Sequence, residues 1–539
     1  MEPKGSKKSA QEIAADRMQP RTRTAAHADP GGIISTNLPI FRGTKLRPAH
    51  FSLDGQGALY EQLARVLKRA ILEGRFGAGK RLPATRTLAK TLGLSRNTVL
   101  SAYELLSAEQ LATARGRSGT HIAENARSTP RGRARSAFRA PSRYASRVRK
   151  LLPTTLGPIR AQPRYDLHYG EPITDPQLFH SWRRKLAAAA LRAGPRYPEP
   201  AGFLPLRRAI AEHLGRRRGI ACTEDEVLIV GGTQQAVTLA ARVVLDEGDT
   251  VVIEDPQYQN VAQTLIAHGA RVVSVRTDES GLVTAELAKH QPRLIYVTPS
   301  HQFPAGSILS LERRLELLRI AGSQGSWILE DDYDSEFQYR GRPLGALRSM
   351  DLSDRVIYVG TFSKTLFPSL RLGYIVCPSG LRDDLCTAKR LDDLGSPAIE
   401  QAALAAFMRS GQFEKYLRKS VAELRQRRNV LLEGLRRHAG ERVEIHDGQA
   451  GVHVVVWFPH LNYPQLDRLI EIGIKLGLGL YPIHPNYRTP PARPGLLLGY
   501  AGLSATSLET ATEIFGKCLD VLDQEAGSGD RRKAAGQRT

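Results

Sequence analysis

The sequence predicts an α/β protein in which a small helical head precedes a larger domain built on a mostly parallel sheet. Three observations carry that expectation. Strand-like apolar runs at 227-VLIV-230, 251-VVIE-254, 271-RVVSV-275, 294-LIYVTP-299, 327-WILEDDY-333 and 356-VIYVG-360 alternate with helical stretches at 234–245, 257–268 and 311–324, the pattern of strand–helix–strand units. Ahead of them, Leu59, Leu63, Val66, Leu67, Ala70 and Ile71 recur at helical spacing. Between the two regions, residues 127–150 hold nine Arg or Lys and no Asp or Glu, which reads as a linker rather than a packed element.

Composition narrows the class. A chain of 539 residues exceeds one ordinary core, so two or three domains are expected. Hydrophobic content of 41% with 24% charged residues belongs to a globular chain, not a disordered one. No apolar run reaches the roughly 18–20 residues that span a bilayer, so no membrane partner is expected. The first 30 residues lack the apolar core of a secretory signal. Cys222, Cys377, Cys386 and Cys518 show neither metal-ligand nor disulfide spacing; no metal site is expected, and a reducing cytoplasm suits them. The formal charge of +23 is more telling. Basic stretches at 131–150 and 531–539 contribute to it, but such a surplus suits a chain that neutralises phosphates and associates with the nucleoid.

Residues 1–45 are Arg-, Pro- and Gly-rich without a sustained period and are expected as a disordered basic arm. Residues 46–124 form the head. Gly74 and Gly77 end its first helix. Segments 85–92 and 95–108 read as short helices joined by 92-LGLS-95, a glycine turn followed by a serine N-cap. The stretch 111-LATARGRSGTHIA-123 reads as two strands around a Gly/Arg turn.

Three helices and a two-stranded wing make a winged helix-turn-helix. In that geometry the helix opening at Ser95 enters the major groove, with Arg96, Asn97 and Thr98 facing base edges and phosphates. Arg86 on the preceding helix holds the backbone. Arg115 and Arg117 reach an adjacent groove, where Gly116 and Gly119 permit the turn. The span 59–123, with 82-LPATRTLAKTLGLSRNTVLSAYELL-106 followed by 115-RGRSGT-120, resembles the N-terminal domain of GntR-family bacterial regulators. That resemblance implies double-stranded promoter DNA as a partner.

The linker is expected over 125–163, the larger domain over 164–524, and a disordered basic tail over 525–539. Within the larger domain, 396–438 is strongly helical, and a smaller α+β part starts at 442-RVEIHDGQAGVHVVVWF-458.

Lys364, in 361-TFSKTLFPSLRLGY-374, follows the apolar run 356–360 and precedes Leu366, Phe367 and Pro368. Strand exits are where open α/β sheets bind ligands, and apolar surroundings keep a lysine neutral enough for nucleophilic chemistry. The acidic 329-LEDDYDSEF-337 ends another strand: a carboxylate there can hold a protonated heterocyclic nitrogen, and a tyrosine hydroxyl can bond a phenolate oxygen. In 230-VGGTQQAV-237, Gly-Gly-Thr opens a helix whose N–H groups can take a phosphate. Together these features describe a phosphorylated pyridine aldehyde linked to lysine, pyridoxal 5'-phosphate (PLP).

Residues 166–522 resemble a fold-type I PLP-dependent aminotransferase, and the whole chain resembles the MocR/GabR subfamily of GntR regulators, including 297-VTPSHQFPAGSILSLERRLELL-318. The resemblance implies Lys364 as the Schiff-base lysine and Arg371, Thr361, Gly232, Thr233 and Gln234 around the cofactor phosphate. It implies Asp331 on the pyridine nitrogen, Tyr333 on the O3′ oxygen and Tyr258 stacked on the ring. It also implies a homodimer, arranged head to tail, with an amine, amino acid or vitamer as effector.

Two positions depart from the aminotransferase pattern. Phe303 precedes Pro304-Ala305-Gly306, where an asparagine is usual. In 495-GLLLGYAGLS-504, Leu497 stands where an arginine usually binds the substrate α-carboxylate; Arg488 and Arg493 lie on the loop before it. The expected function is therefore a PLP-dependent transcriptional regulator with at most a residual transaminase half-reaction. The alternative is a PLP-dependent aminotransferase with an accessory DNA-binding domain.

Overall fold

The computed structural model describes residues 53–126, 140–151 and 163–536, apart from 174, 195, 340–344 and 449. The disordered arm expected over 1–45 lies outside them. The chain divides into two compact units, Met1–Ala140 and Pro141–Thr539.

In the first unit, α1 (Leu59–Leu72), α2 (Thr85–Leu92) and α3 (Arg96–Ala108) precede a hairpin of β1 (Ala112–Ala114) and β2 (Thr120–Ile122). The periodic apolar face of α1 supplies Leu63, Leu67 and Ile71 to a core closed by Val99, Ala102, Tyr103 and Leu106 of α3. Gly93 ends α2 in the left-handed conformation, at φ +67°. Ser95 then caps α3, its Oγ accepting from the Thr98 N–H at 3.0 Å. The Tyr103 hydroxyl donates to the Pro83 carbonyl at 2.8 Å, tying α3 to the entry of α2.

The second unit opens with α4 (Arg143–Val148), β3 (Tyr165–Asp166), α5 (Pro176–Ala190) and α6 (Leu204–Arg218). Alternating elements follow: β4 (Val227–Val230), α7 (Thr233–Val244), β5 (Thr250–Asp255), α8 (Gln259–His268), β6 (Arg271–Asp278), β7 (Gly281–Leu282), β8 (Leu294–Val297), α9 (Leu311–Gln324), β9 (Trp327–Asp332), β10 (Val356–Thr361) and β11 (Gly373–Val376). They build an eight-stranded sheet in the order β4-β11-β10-β9-β8-β5-β6-β7. Neighbours from β10 through β6 pair in parallel, and β11 runs antiparallel to both β10 and β4. Its central strands are buried on both faces, as their unbroken apolar runs require.

Helices α10 (Arg382–Asp393), α11 (Ala398–Arg409) and α12 (Gln412–His438) lead to the smaller part. There β12 (Glu444–His446), β13 (His453–Trp457), α13 (Tyr463–Lys475), β14 (Leu478–Gly479), β15 (Tyr481–Pro482), β16 (Gly495–Gly499) and α14 (Ala505–Gly536) complete the chain. An antiparallel sheet of order β12-β13-β16-β15 packs in one core with α12, α13 and α14.

Two expectations are corrected. Part of the 125–163 linker is packed: α4 lies on α8, where Arg147 Nε donates to the Ala267 carbonyl at 2.9 Å and its Nη1 meets Glu247 at 3.0 Å. Tyr144 adds an edge contact with His268. A basic helix is stabilised there because the α8 C-terminus presents carbonyls and partial negative charge. The expected disordered tail over 525–539 is also helical as far as Gly536, as a continuation of α14; extending an existing helix avoids the cost of nucleating one.

Candidate functional site

Lys364, Asp331, Tyr333, Tyr258, Thr361, Thr233, Gln234 and Arg371 line one cavity of about 320 Å³ in the second unit. The sheet explains the convergence. Asp331 is the penultimate residue of β9 and pairs in register with Val359 of β10; Thr361 ends β10, and Lys364 follows three residues on. Gly232 and Thr233 open α7 immediately after β4.

At one end of the cavity stands an anion cradle. Gly232 adopts φ +98°, where a side chain is strained, and a Cβ there would lie 3.4 Å from Arg371 Nη1. Arg371 donates to the Gly231 carbonyl, and the Gln235 side chain accepts from the Gly231 N–H at 2.7 Å, fixing the turn. The free N–H groups and positive dipole end of α7 thus face the same place as a guanidinium. Thr361 Oγ1 accepts from the Ser363 N–H at 3.2 Å. The Gln234 side chain is engaged by Thr264 of α8, so its backbone N–H is what it brings to the helix end.

Deeper in, Asp331 is 4% exposed. Its Oδ2 accepts from the Tyr296 hydroxyl at 2.7 Å, while its buried Oδ1 has no partner in the protein. Burial pushes its carboxyl up to about 7, with Asp332 and Asp334 adding to the rise and Tyr296 opposing it. A buried acceptor of that kind calls for a cationic N–H. The Tyr333 hydroxyl lies 3.0 Å from His301 Nδ1, which is 2.8 Å from Asp334 Oδ2. Lys364 Nζ donates to the Gly170 carbonyl at 2.6 Å. Desolvation lowers its pKa, against the pull of Glu171, Asp334 and Asp331.

This donor set fits PLP: an anion cradle for the phosphate, an orphaned carboxylate oxygen for a protonated ring nitrogen, a hydroxyl for a phenolate oxygen and an amine of lowered basicity for an aldehyde. Tyr258 and Phe303 meet edge to face, ring centres 5.6 Å apart, on the same lining. Phe303 brings ring contacts to Tyr169, Tyr333 and His453 where an amide is usual.

Leu497 is fully buried in β16, packed with Val455 and Ile483 beneath Tyr169. Neither loop arginine is on the described cavity lining: Arg493 lies exposed beside Glu444 at 2.7 Å, and the Arg488 backbone N–H donates to Asp255. Sequence reading missed Tyr296, His301, Asp334, Glu171 and His453. Only 299-PSHQFPAG-306 carried a local signal, a histidine beside the turn.

The first unit presents the other candidate surface. Arg86, Ser95, Arg96 and Asn97 are exposed, and Thr98 is half-buried at the first turn of α3. Arg115 and Arg117 are exposed on the wing, with Gly119 at φ +90°. Arg115 pairs with Glu124 at 3.1 Å, a surface ion pair that phosphate can displace at little cost. Arg81, not anticipated, bridges to His121 and so extends the wing.

Residues 59–122 match the model of the bacterial regulatory protein gntR family, and residues 165–472 match aminotransferase class I and II. The probable rhizopine catabolism regulatory protein MocR of Rhizobium meliloti is 35% identical over 84% of this chain and 92% of its own length. This chain belongs to the MocR/GabR subfamily of GntR-family regulators. Another relative in that subfamily's pattern, the HTH-type transcriptional regulator TauR of Rhodobacter capsulatus, is 37% identical over 71% of this chain and 80% of its own. The α-aminoadipate aminotransferase LysN of Thermus thermophilus, solved with N-(5'-phosphopyridoxyl)-L-leucine, superposes with a TM-score of 0.62 at 26% identity, covering 71% of this chain and 97% of that one. Among the described residues no helix is long and apolar enough to cross a membrane.

Proposed function

We propose that this chain is a PLP-dependent transcriptional regulator whose aminotransferase-like domain senses an amine, amino acid or B6 vitamer and thereby controls promoter binding. The winged helix-turn-helix binds double-stranded DNA through Arg96, Asn97 and Thr98 behind the Ser95 cap, with Arg86, Arg115, Arg117 and the Gly119 turn on flanking phosphates. PLP is held covalently at Lys364. Arg371, Thr361, Gly232, Thr233 and Gln234 take its phosphate, Asp331 its ring nitrogen, Tyr333 its O3′ oxygen, and Tyr258 stacks on its ring. When bound, the cofactor supplies an electrophilic carbon that captures amines; the residues around it position that carbon and exclude water.

One observation supports the preference for sensing over turnover: Leu497, at the position where the family resemblance leads one to expect an arginine for the substrate carboxylate, is fully buried. A cytoplasmic homodimer, arranged head to tail, presents two heads to two half-sites. An effector alters DNA binding only if it favours one dimer arrangement over another.

Absorbance of the purified chain, with and without Lys364→Ala, tests cofactor attachment. Operator binding titrated with amines and PLP tests sensing. Multiple-turnover transamination with no ligand effect on DNA would overturn the assignment in favour of an enzyme.

A further inference from the structure

The cavity is asymmetric in charge. Its phosphate end carries Arg371, the one arginine on the described lining, already held against Gly231 and Gly232. Lys364 is the other Lys or Arg on the described lining; around it stand hydroxyl, amide, imidazole and apolar groups and the carboxyls of Asp331 and Glu171. Leu497, which packs beneath the lining residue Tyr169, offers no charge, and Arg493, exposed beside Glu444, does not line the cavity. Glu171 stands on the lining one residue after Gly170, whose carbonyl takes the Lys364 ammonium. The Glu171 carboxylate lies 3.4 Å from His168 Nδ1 and is otherwise open to the cavity and solvent. Contact with His168 and the charge of Lys364 hold its carboxyl below the usual range against desolvation, so it is anionic at neutral pH. His453 is neutral, its pKa lowered to about 3 chiefly by burial. Its Nε2–H is committed to the Pro304 carbonyl at 3.1 Å, which leaves the ring's other nitrogen an acceptor.

A carboxylate or sulfonate entering beside Lys364 would meet Glu171 as a like charge, and among the described lining residues the one guanidinium, Arg371, is at the phosphate end. An ammonium or hydroxyl would be met by an acceptor. Resting on the regulator reading above, we propose that the effector is a primary amine without a carboxylate or sulfonate, bearing a second hydrogen-bond-donating group, ammonium or hydroxyl, that Glu171 recognises.

The test uses the full-length PLP-loaded chain and two probes of similar length, 1,4-diaminobutane and 4-aminobutanoate, with 4-amino-1-butanol as the uncharged donor. Binding is read from the cofactor absorbance shift and, independently, by calorimetry. The diamine and the amino alcohol should each bind at least ~10-fold more tightly than the amino acid, the preference expected of one charge-assisted contact of about 1.4 kcal/mol. Glu171→Gln should narrow that preference to within ~3-fold, and Glu171→Arg should reverse it. Both substitutions are at an exposed position, so folding is preserved and the cofactor band serves as the control. Equal or tighter binding of 4-aminobutanoate by the unmodified chain, a preference untouched by Glu171→Gln, or no response to any probe would overturn the inference while leaving the regulator reading intact. Absence of the cofactor band in the unmodified chain would overturn both.

Discussion

Asp331 and Tyr296 share a hydrogen bond of 2.7 Å through Oδ2, while the second carboxylate oxygen of Asp331 is equally enclosed and has no partner in the protein. The pair therefore anchors a buried acid in one orientation and reserves its remaining acceptor for a ligand. Its proton affinity follows: burial raises the carboxyl to about 7.

The sign of the resulting pH dependence is determined. A carboxyl with a folded-state pKa above its unfolded value binds more protons when folded, so stability falls as pH rises through the interval between the two. Glu254 and Glu330, also raised to about 7 by burial, act in the same direction. In cofactor-free protein each such carboxyl should contribute a falling slope of stability between pH ~4 and ~7, of at most about 1.4 kcal/mol per pH unit. Buried His453, its pKa lowered to about 3, opposes this over much of that range by making stability rise with pH. Denaturant melts across that range should show the falling slope diminished in Asp331→Asn. PLP, by giving Oδ1 a cationic partner, should diminish it as well.

Lys364→Ala should abolish the covalent cofactor band while the phosphate cradle retains some affinity for the aldehyde. Dialysis followed by absorbance distinguishes the two: the variant should release PLP over the dialysis and the unmodified chain should keep it. Retention of the lysine-bound spectrum by the variant would reassign the anchor.

On the head, Arg96→Ala should weaken specific operator binding by about 1–3 kcal/mol and relax sequence preference, with cofactor absorbance unchanged. Arg117→Ala should instead weaken all sequences alike and reduce the salt slope of binding by about 1. Electrophoretic titrations at several salt concentrations separate these outcomes.

Arg147→Ala should loosen α4 from α8, since one side chain makes both the Ala267 and Glu247 contacts. About 1 kcal/mol of local stability is at stake. Hydrogen exchange should speed up at residues 143–148 and remain unchanged in the eight-stranded sheet.

Much of this architecture is legible in the chain because local signals and tertiary packing agree. The apolar face of α1, the Gly93 turn and the Ser95 cap each name their own position. So do the strand exits that bring Lys364 and Asp331 to one cavity. What escapes reading depends on residues far apart in sequence. His301 and Asp334 meet across 33 positions, and nothing local marks their pairing. The helicity of α4 depends on Glu247 and on the end of α8, about a hundred residues onward, so its own basic composition reads as solvated chain. Leu497 was visible as a departure, whereas its burial against Val455 and Ile483 depends on pairing between β13 and β16.

Strand β9 places its two adjacent aspartates in different settings. Asp331 lines the cavity, whereas Asp332 accepts from Arg218 Nε at 2.8 Å and from the Tyr358 hydroxyl at 2.6 Å. Because neighbouring residues of a strand point to opposite faces, slipping the β9–β10 pairing by a single residue would turn Asp331 away from the cavity, put Glu330 or Asp332 in its place and break the Asp332–Arg218 pair. Register thus bears on what the cavity can hold: substitutions in the hidden Arg218–Tyr358 network, off the cavity lining, are expected to weaken PLP binding while the lining residues stay unchanged.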